Sequence, residues 1–143
     1  MPDIYHTLSI AGSKERIFEA ISTAEGLNSW WTLTAGGIPE FGAIYDFGFG
    51  PDYQWQAEVV RCEPGAVLEW KMIKAADDWM GTHVGFRLKT VGDATQIDFY
   101  HTGWAEITNH YRVCSFWWCM YLRLLRRYIE RGEVVPHHER NDA

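Results

Sequence analysis

A single α+β domain, in which a curved antiparallel sheet is wrapped around one long helix, is the fold class the sequence predicts. Three observations carry this reading. Segments between residues 42 and 103 alternate apolar and polar side chains and are separated by tight-turn signals. Residues 108–131 switch to a period of 3.6. Two short helical stretches, each introduced by Ser or Thr, follow the first strand-like segment. A chain of 143 residues has room for one such domain, and it buries about two-thirds of the surface its unfolded form exposes.

The first strand is expected over Ile4–Ile10, with Ile4, His6, Leu8 and Ile10 on one face. Ala11 and Gly12 break it. Ser13 then caps a helix carrying Ile17, Phe18, Ala20 and Ile21, and Thr23 or Ala24 opens a second that runs through Trp30 and Trp31 towards Gly36-Gly37. Turn signals at Gly50-Pro51-Asp52, Glu63-Pro64-Gly65, Ala76-Asp77-Asp78 and Val91-Gly92-Asp93 divide the middle of the chain into five strands, near 42–49, 53–62, 66–74, 81–90 and 94–103. Connections this short join antiparallel neighbours. The inward face takes Tyr45, Phe47, Phe49, Trp55, Ala57 and Val59, then Leu68, Trp70, Met72, Val84, Phe86, Leu88, Ile97, Phe99 and His101. The other face carries Gln56, Glu58, Glu69, Lys71, Arg87, Lys89, Gln96 and Asp98 and is wet.

The final helix places Tyr111, Cys114, Trp118, Tyr121, Leu122, Leu125 and Ile129 on one stripe, which must cover the apolar face of the sheet. Its last turn is basic and Gly132 comes next, matching the helix dipole and the usual glycine stop. The domain is expected over 1–132, and 133–143, without apolar periodicity, is expected to be a mobile polar tail.

Composition narrows the function. A net charge of −6 repels phosphate backbones and argues against nucleic acid as a partner. No run of 18 apolar residues is present, so no membrane span is expected. Cys62, Cys114 and Cys119 are odd in number and lack CxxC spacing, which fits neither a disulfide framework nor a zinc ribbon and points to a reducing cytoplasm. Eight Trp, seven Tyr and seven Phe either fill a core or line an apolar pocket.

The order of elements resembles the START-like superfamily, also called SRPBCC or the helix-grip fold. The opening Ile10-Ala11-Gly12-Ser13-Lys14-Glu15-Arg16-Ile17-Phe18-Glu19-Ala20-Ile21 is similar to that of the homologues of the activator of the ninety-kilodalton heat-shock protein ATPase. So are the paired Trp30-Trp31, the hairpin from Glu58-Val59 through Pro64 to Leu68-Glu69-Trp70, and the strand Ala94-Thr95 to His101-Thr102-Gly103. The final helix, Trp118 to Gly132, completes the likeness over roughly residues 4–132. The superfamily resemblance implies binding of lipids, hormones or polyketides, and in some members cyclase or aromatase activity. Co-chaperone members usually carry an additional N-terminal domain, so activation of a chaperone ATPase is not expected here.

For chemistry, no HExxH, Walker loop or GxGxxG is present. If the first and last strands pair, His6 and His101 face each other from inward positions. They read as a structural pair packed near Tyr111, as a proton-transfer pair, or as two metal ligands with Cys114 as the third. Glu58 and Glu69 sit nearly opposite on adjacent strands, where their outward parity makes a solvated pair with Lys71 or Arg61.

A cavity between sheet and helix is the expected ligand site. Its candidate lining from the short helices and sheet is Trp30, Tyr45, Phe47, Trp55, Ala57 and Trp70, with Phe86, Phe99 and His101 from the later strands. The long helix adds Cys114, Trp117, Trp118 and Tyr121. Three functions fit. The first is a binding module for a hydrophobic or aromatic small molecule, without cofactor or metal. The second is an enzyme performing a cyclisation or dehydration through His101 and His6. The third is a protein-interaction or co-chaperone-like domain with a filled core, using exposed Trp30, Trp31, Trp79 or Trp104. A homodimer is expected because Trp79 and Trp104 stand at strand or loop ends.

Overall fold

A computed structural model describes residues 2–142. The chain runs β1 (Ile4–Ile10), α1 (Lys14–Ser22), α2 (Ala24–Trp30), β2 (Thr34–Gly36), β3 (Ile44–Gly48), β4 (Gln54–Glu63), β5 (Val67–Lys74), β6 (His83–Val91), β7 (Ala94–Thr102) and α3 (Asn109–Arg131). The sheet has seven strands in the order β1-β7-β6-β5-β4-β3-β2, with every neighbouring pair antiparallel. The extra strand, β2, is three residues long, too short to show a period. Register shifts in β4 between Gln56 and Ala57 and between Val59 and Arg61 insert bulges. Bulges bend and twist a strand, which helps the sheet curl around α3.

The expected caps form. Ser13 Oγ accepts from Arg16 N–H at 3.2 Å. Thr23 serves two helices: its hydroxyl donates to Glu19 O at 2.9 Å, closing α1, and accepts from Gly26 N–H at 3.0 Å, opening α2. Gly26 permits the corner, because a Cβ there would sit 2.6 Å from the Ala20 backbone. Thr108 caps α3 through Tyr111 N–H at 3.0 Å, and Gly132 ends it at φ 66°.

All the inward residues expected on β3 to β7 are buried except Phe49 and Trp55, which are half-buried. On α3 the buried set is Cys114, Trp118, Leu122, Leu124, Leu125 and Ile129, with Tyr111 and Tyr121 half-buried beside it. Among the described residues no helix is long and apolar enough to cross a membrane.

Two expectations about the outside are corrected. Trp30, Trp31, Trp79 and Trp104 are all buried, so none offers a contact surface. The polar stretch after Gly132 folds back on the domain and ends in a short 3-10 helix, His137–Asp142. Arg140 is 3% exposed, and its guanidinium donates to Val135 O at 2.8 Å, Thr32 O at 3.1 Å and Asn28 O at 2.7 Å. Those acceptors are backbone carbonyls, which no residue pattern announces.

The register of the wet face also differs from expectation. Glu58 lies opposite Lys71 and Arg61 opposite Glu69, because the β4 bulge shifts the pairing. Glu69 therefore takes hydrogen bonds from Tyr100 Oη and from His83 Nδ1, the latter at 2.7 Å, rather than facing Glu58.

Candidate functional site

A cavity of about 600 Å³ lies at one end of α3. The β3–β4 hairpin contributes Phe49, Tyr53 and Trp55 to its wall, and the β5–β6 connection contributes Ala76 and Trp79. One side of α3 supplies Asn109, His110, Val113, Cys114, Trp117, Trp118 and Tyr121, and the folded-back chain end supplies His137 and Asn141. Trp31 forms the floor. Its ring lies 4.8 Å from Phe47, 5.0 Å from Trp118 and 6.4 Å from Trp70, so it separates the cavity from the aromatic core behind it.

Of the residues expected to line a ligand site, Trp55, Cys114, Trp117, Trp118 and Tyr121 border this cavity. Trp30, Tyr45, Phe47, Ala57, Trp70, Phe86 and Phe99 instead form the packed core, each 0–1% exposed. Ring pairs such as Trp70–Phe47 at 5.1 Å and Phe86–Phe99 at 5.3 Å fill that depth. His137 also reaches the wall, from the segment expected to be a mobile tail.

His101 is 0% exposed and does not reach the cavity. Trp118 Nε1–H donates to its Nδ1 at 3.1 Å, which leaves the proton on Nε2, 2.9 Å from Thr82 Oγ1. Thr82 in turn donates to Trp79 O at 2.6 Å. Burial pushes the imidazole down from its ordinary 6.5 to about 3; His110 adds to the effect and Asp78 opposes it. The ring is a neutral joint between β6, β7 and α3.

β1 and β7 do pair, but His6 faces Phe99 and Ile4 faces His101, two residues away from the expected register. His6 stacks on Phe99 at 6.2 Å and, since a carbonyl only accepts, donates Nε2–H to Ser115 O at 3.2 Å. Its other neighbour is Cys119, not Cys114, with Sγ 3.4 Å from Nε2. Among the described residues no three His, Cys, Asp or Glu side chains gather as metal ligands. Cys114 lies in the cavity wall as a thiol whose pKa burial raises to about 11, so it is not a nucleophile near neutral pH.

What the sequence reading missed is a polar cluster at the rim. Asp78 Oδ2 accepts from Thr108 Oγ1 at 2.9 Å, and its Oδ1 lies 2.9 Å from His110 Nδ1. The available signal was spacing: His110 precedes Cys114 by four residues, which puts it on the same helix face. Nothing in the local pattern placed Asp78 opposite it.

Residues 11–130 match the family described as Activator of Hsp90 ATPase homolog 1-like protein. The chain belongs to that family. A solved member, the Aha1 dimer from Colwellia psychrerythraea, is 30% identical, with a TM-score of 0.85 over 93% of this chain and 99% of that one. CalU16 from Micromonospora echinospora shares the fold at 18% identity, with a TM-score of 0.74 over 98% of this chain and 83% of that one. DynU16, from the dynemicin biosynthetic locus, does so at 19% identity and a TM-score of 0.79, over 92% of this chain and 48% of that one. Comparison with curated proteins finds no significant match. The family's helix-grip architecture is the one described above, with the sheet curled around α3.

Proposed function

We propose that this family member is a binding module that holds a small hydrophobic or aromatic molecule in the cavity between the β3–β4 hairpin and α3, without a cofactor. The observation that carries the reading is the cavity itself. Its volume of about 600 Å³ falls within the roughly 300–1,000 Å³ range of small-molecule sites, and its walls are mostly aromatic. The filled-core alternative fits this end of the molecule poorly. The enzyme alternative has lost its named pair, because His101 has both nitrogens engaged and His6 is turned towards Ser115. Three free cysteines suit a reducing compartment, and the cytoplasm is the location we assign.

Val113 stands in the wall on the half-buried side of α3, so a larger side chain there fills the cavity rather than the core. Val113→Trp is expected to weaken binding of an uncharged apolar fluorescent probe, N-phenyl-1-naphthylamine, at least tenfold while circular dichroism stays native. Unchanged probe affinity in the folded variant argues against the site. Mass spectrometry of the native protein, extracted under denaturing conditions, identifies the natural occupant.

We also infer a homodimer, supported by the dimeric 30% identical relative and no longer by Trp79 or Trp104. Light scattering at the mass of one chain, 16.6 kDa, across all accessible concentrations would refute it.

A further inference from the structure

The cavity is walled by rings, yet one imidazole in it is held as though for use. Asp78 lies in the short 3-10 turn Asp77–Trp79, and Thr108 is the cap of α3. Thr108 Oγ1 donates to Asp78 Oδ2 while accepting from Tyr111 N–H, so the helix start fixes the carboxylate. Asp78 Oδ1 then accepts from His110 Nδ1 at 2.9 Å. Burial opposes ionisation of Asp78, but the hydrogen bonds from His110 and Thr108 outweigh it and hold its carboxyl below the usual range. The His110 ring stacks on Trp79 at 6.2 Å and meets the edge of Trp104 at 6.1 Å, which fixes its plane.

A carboxylate only accepts, so the His110 proton sits on Nδ1 and the lone pair of the neutral ring sits on Nε2. Among the described residues nothing hydrogen-bonds to that Nε2, and the ring lines the cavity with its side chain 36% exposed. His101, nine residues earlier, shows what a purely structural histidine looks like here: it is fully buried and both nitrogens are engaged.

We infer that His110 is the polar anchor of the cavity and that the ligand is an apolar molecule bearing a hydroxyl, a phenol being the simplest case, whose O–H donates to His110 Nε2. This rests on the binding-module reading above. A hydroxyl supplies the donor that the lone pair lacks, and an aromatic body matches the Trp31, Trp55, Trp79 and Trp117 walls. With the ring neutral, a ligand carboxylate is disfavoured, because it would face a lone pair backed by the negative charge of Asp78. An ether or hydrocarbon of the same shape fills the space and leaves Nε2 unpaired.

The test is calorimetric titration at pH 8 with 2-naphthol, 2-methoxynaphthalene and 2-naphthoate, on the wild type and on His110→Phe, which keeps a ring and removes the acceptor. In the wild type the naphthol is expected to bind about tenfold more tightly than its methyl ether, the worth of about one net hydrogen bond. In His110→Phe the ratio should fall to about one, with the ether's affinity retained. A preference that survives in the variant, no preference in the wild type, or naphthoate binding more tightly than naphthol would overturn the assignment. If no naphthalene binds the wild type, the cavity reading falls and this one with it. Should His110→Phe not fold, nitrogen resonances of the wild-type histidines decide: 2-naphthol must shift His110 Nε2, and an unmoved signal in the bound state rejects the contact.

Discussion

Trp118→Ala is expected to be the most damaging single truncation in α3, removing about 4–8 kcal/mol of stability. Trp118 is 2% exposed, with ring centroids 4.5 Å from Phe99, 5.0 Å from Trp31 and 6.1 Å from Trp79. Truncating a buried tryptophan costs about 3–5 kcal/mol in lost contacts and residual cavity. The change also strips His101 Nδ1 of its donor, and a buried polar atom left unpaired costs about 1–3 kcal/mol more. A domain of this size has only about 5–15 kcal/mol to lose. Trp118→Phe keeps most of the ring contacts but leaves His101 Nδ1 equally without a donor, so it should lose less than the alanine variant while still bearing the cost of the unpaired nitrogen. Urea unfolding followed by circular dichroism gives the comparison, and an alanine variant within about 2 kcal/mol of wild type would mean that α3 is not bolted to the sheet through this residue.

Trp118 also marks where sequence reading stops. Parity along a strand says which face a side chain takes but not how deep it lies. Trp55, Trp70 and Phe86 therefore looked equivalent, although Trp70 and Phe86 are fully buried and Trp55 borders the cavity. The boundary between depth and opening is drawn by Trp31, whose position depends on where α2 ends against the sheet. The β1–β7 pairing was implied by the resemblance to the helix-grip fold, whereas its register was not. The two strands are far apart in sequence, with no hairpin turn between them to set it, and a two-residue slip keeps the same face.

Trp79 failed as a surface residue for another reason. Asp77–Trp79 is a single 3-10 turn, too short for any period, and it folds inward so that the indole packs 4.5 Å from the His101 ring. The same inward fold delivers Asp78 to Thr108 and His110 across about thirty residues of chain. Arg140 is hidden in the sequence for a related reason, since its partners are the carbonyls of Asn28, Thr32 and Val135. Long-range polar contacts of this kind leave no mark on local patterning.

His101 should make the protein acid-sensitive in a defined window. The folded ring takes a proton only near pH 3, while the unfolded ring takes one near its ordinary 6.5. Between those values the unfolded chain binds a proton that the folded chain refuses, so acid favours unfolding. The contribution is present in full above about pH 6.5 and is lost as the pH falls towards 3. A separation of that size corresponds to at most about 5 kcal/mol, using about 1.4 kcal/mol for each pH unit. The geometry explains the refusal: a proton on Nδ1 would point at the Trp118 N–H, donor against donor. Urea midpoints of wild type and His101→Gln between pH 4 and 8 test this, because the other five histidines and the carboxylates are common to both and cancel in the difference. The variant should be less stable than wild type at pH 7.5, and the gap should narrow steadily below pH 6.5. Parallel pH dependence in the two proteins, or a His101 ring signal that titrates near 6.5 in the folded state, would show that the ring is not the sealed neutral joint between β7 and α3.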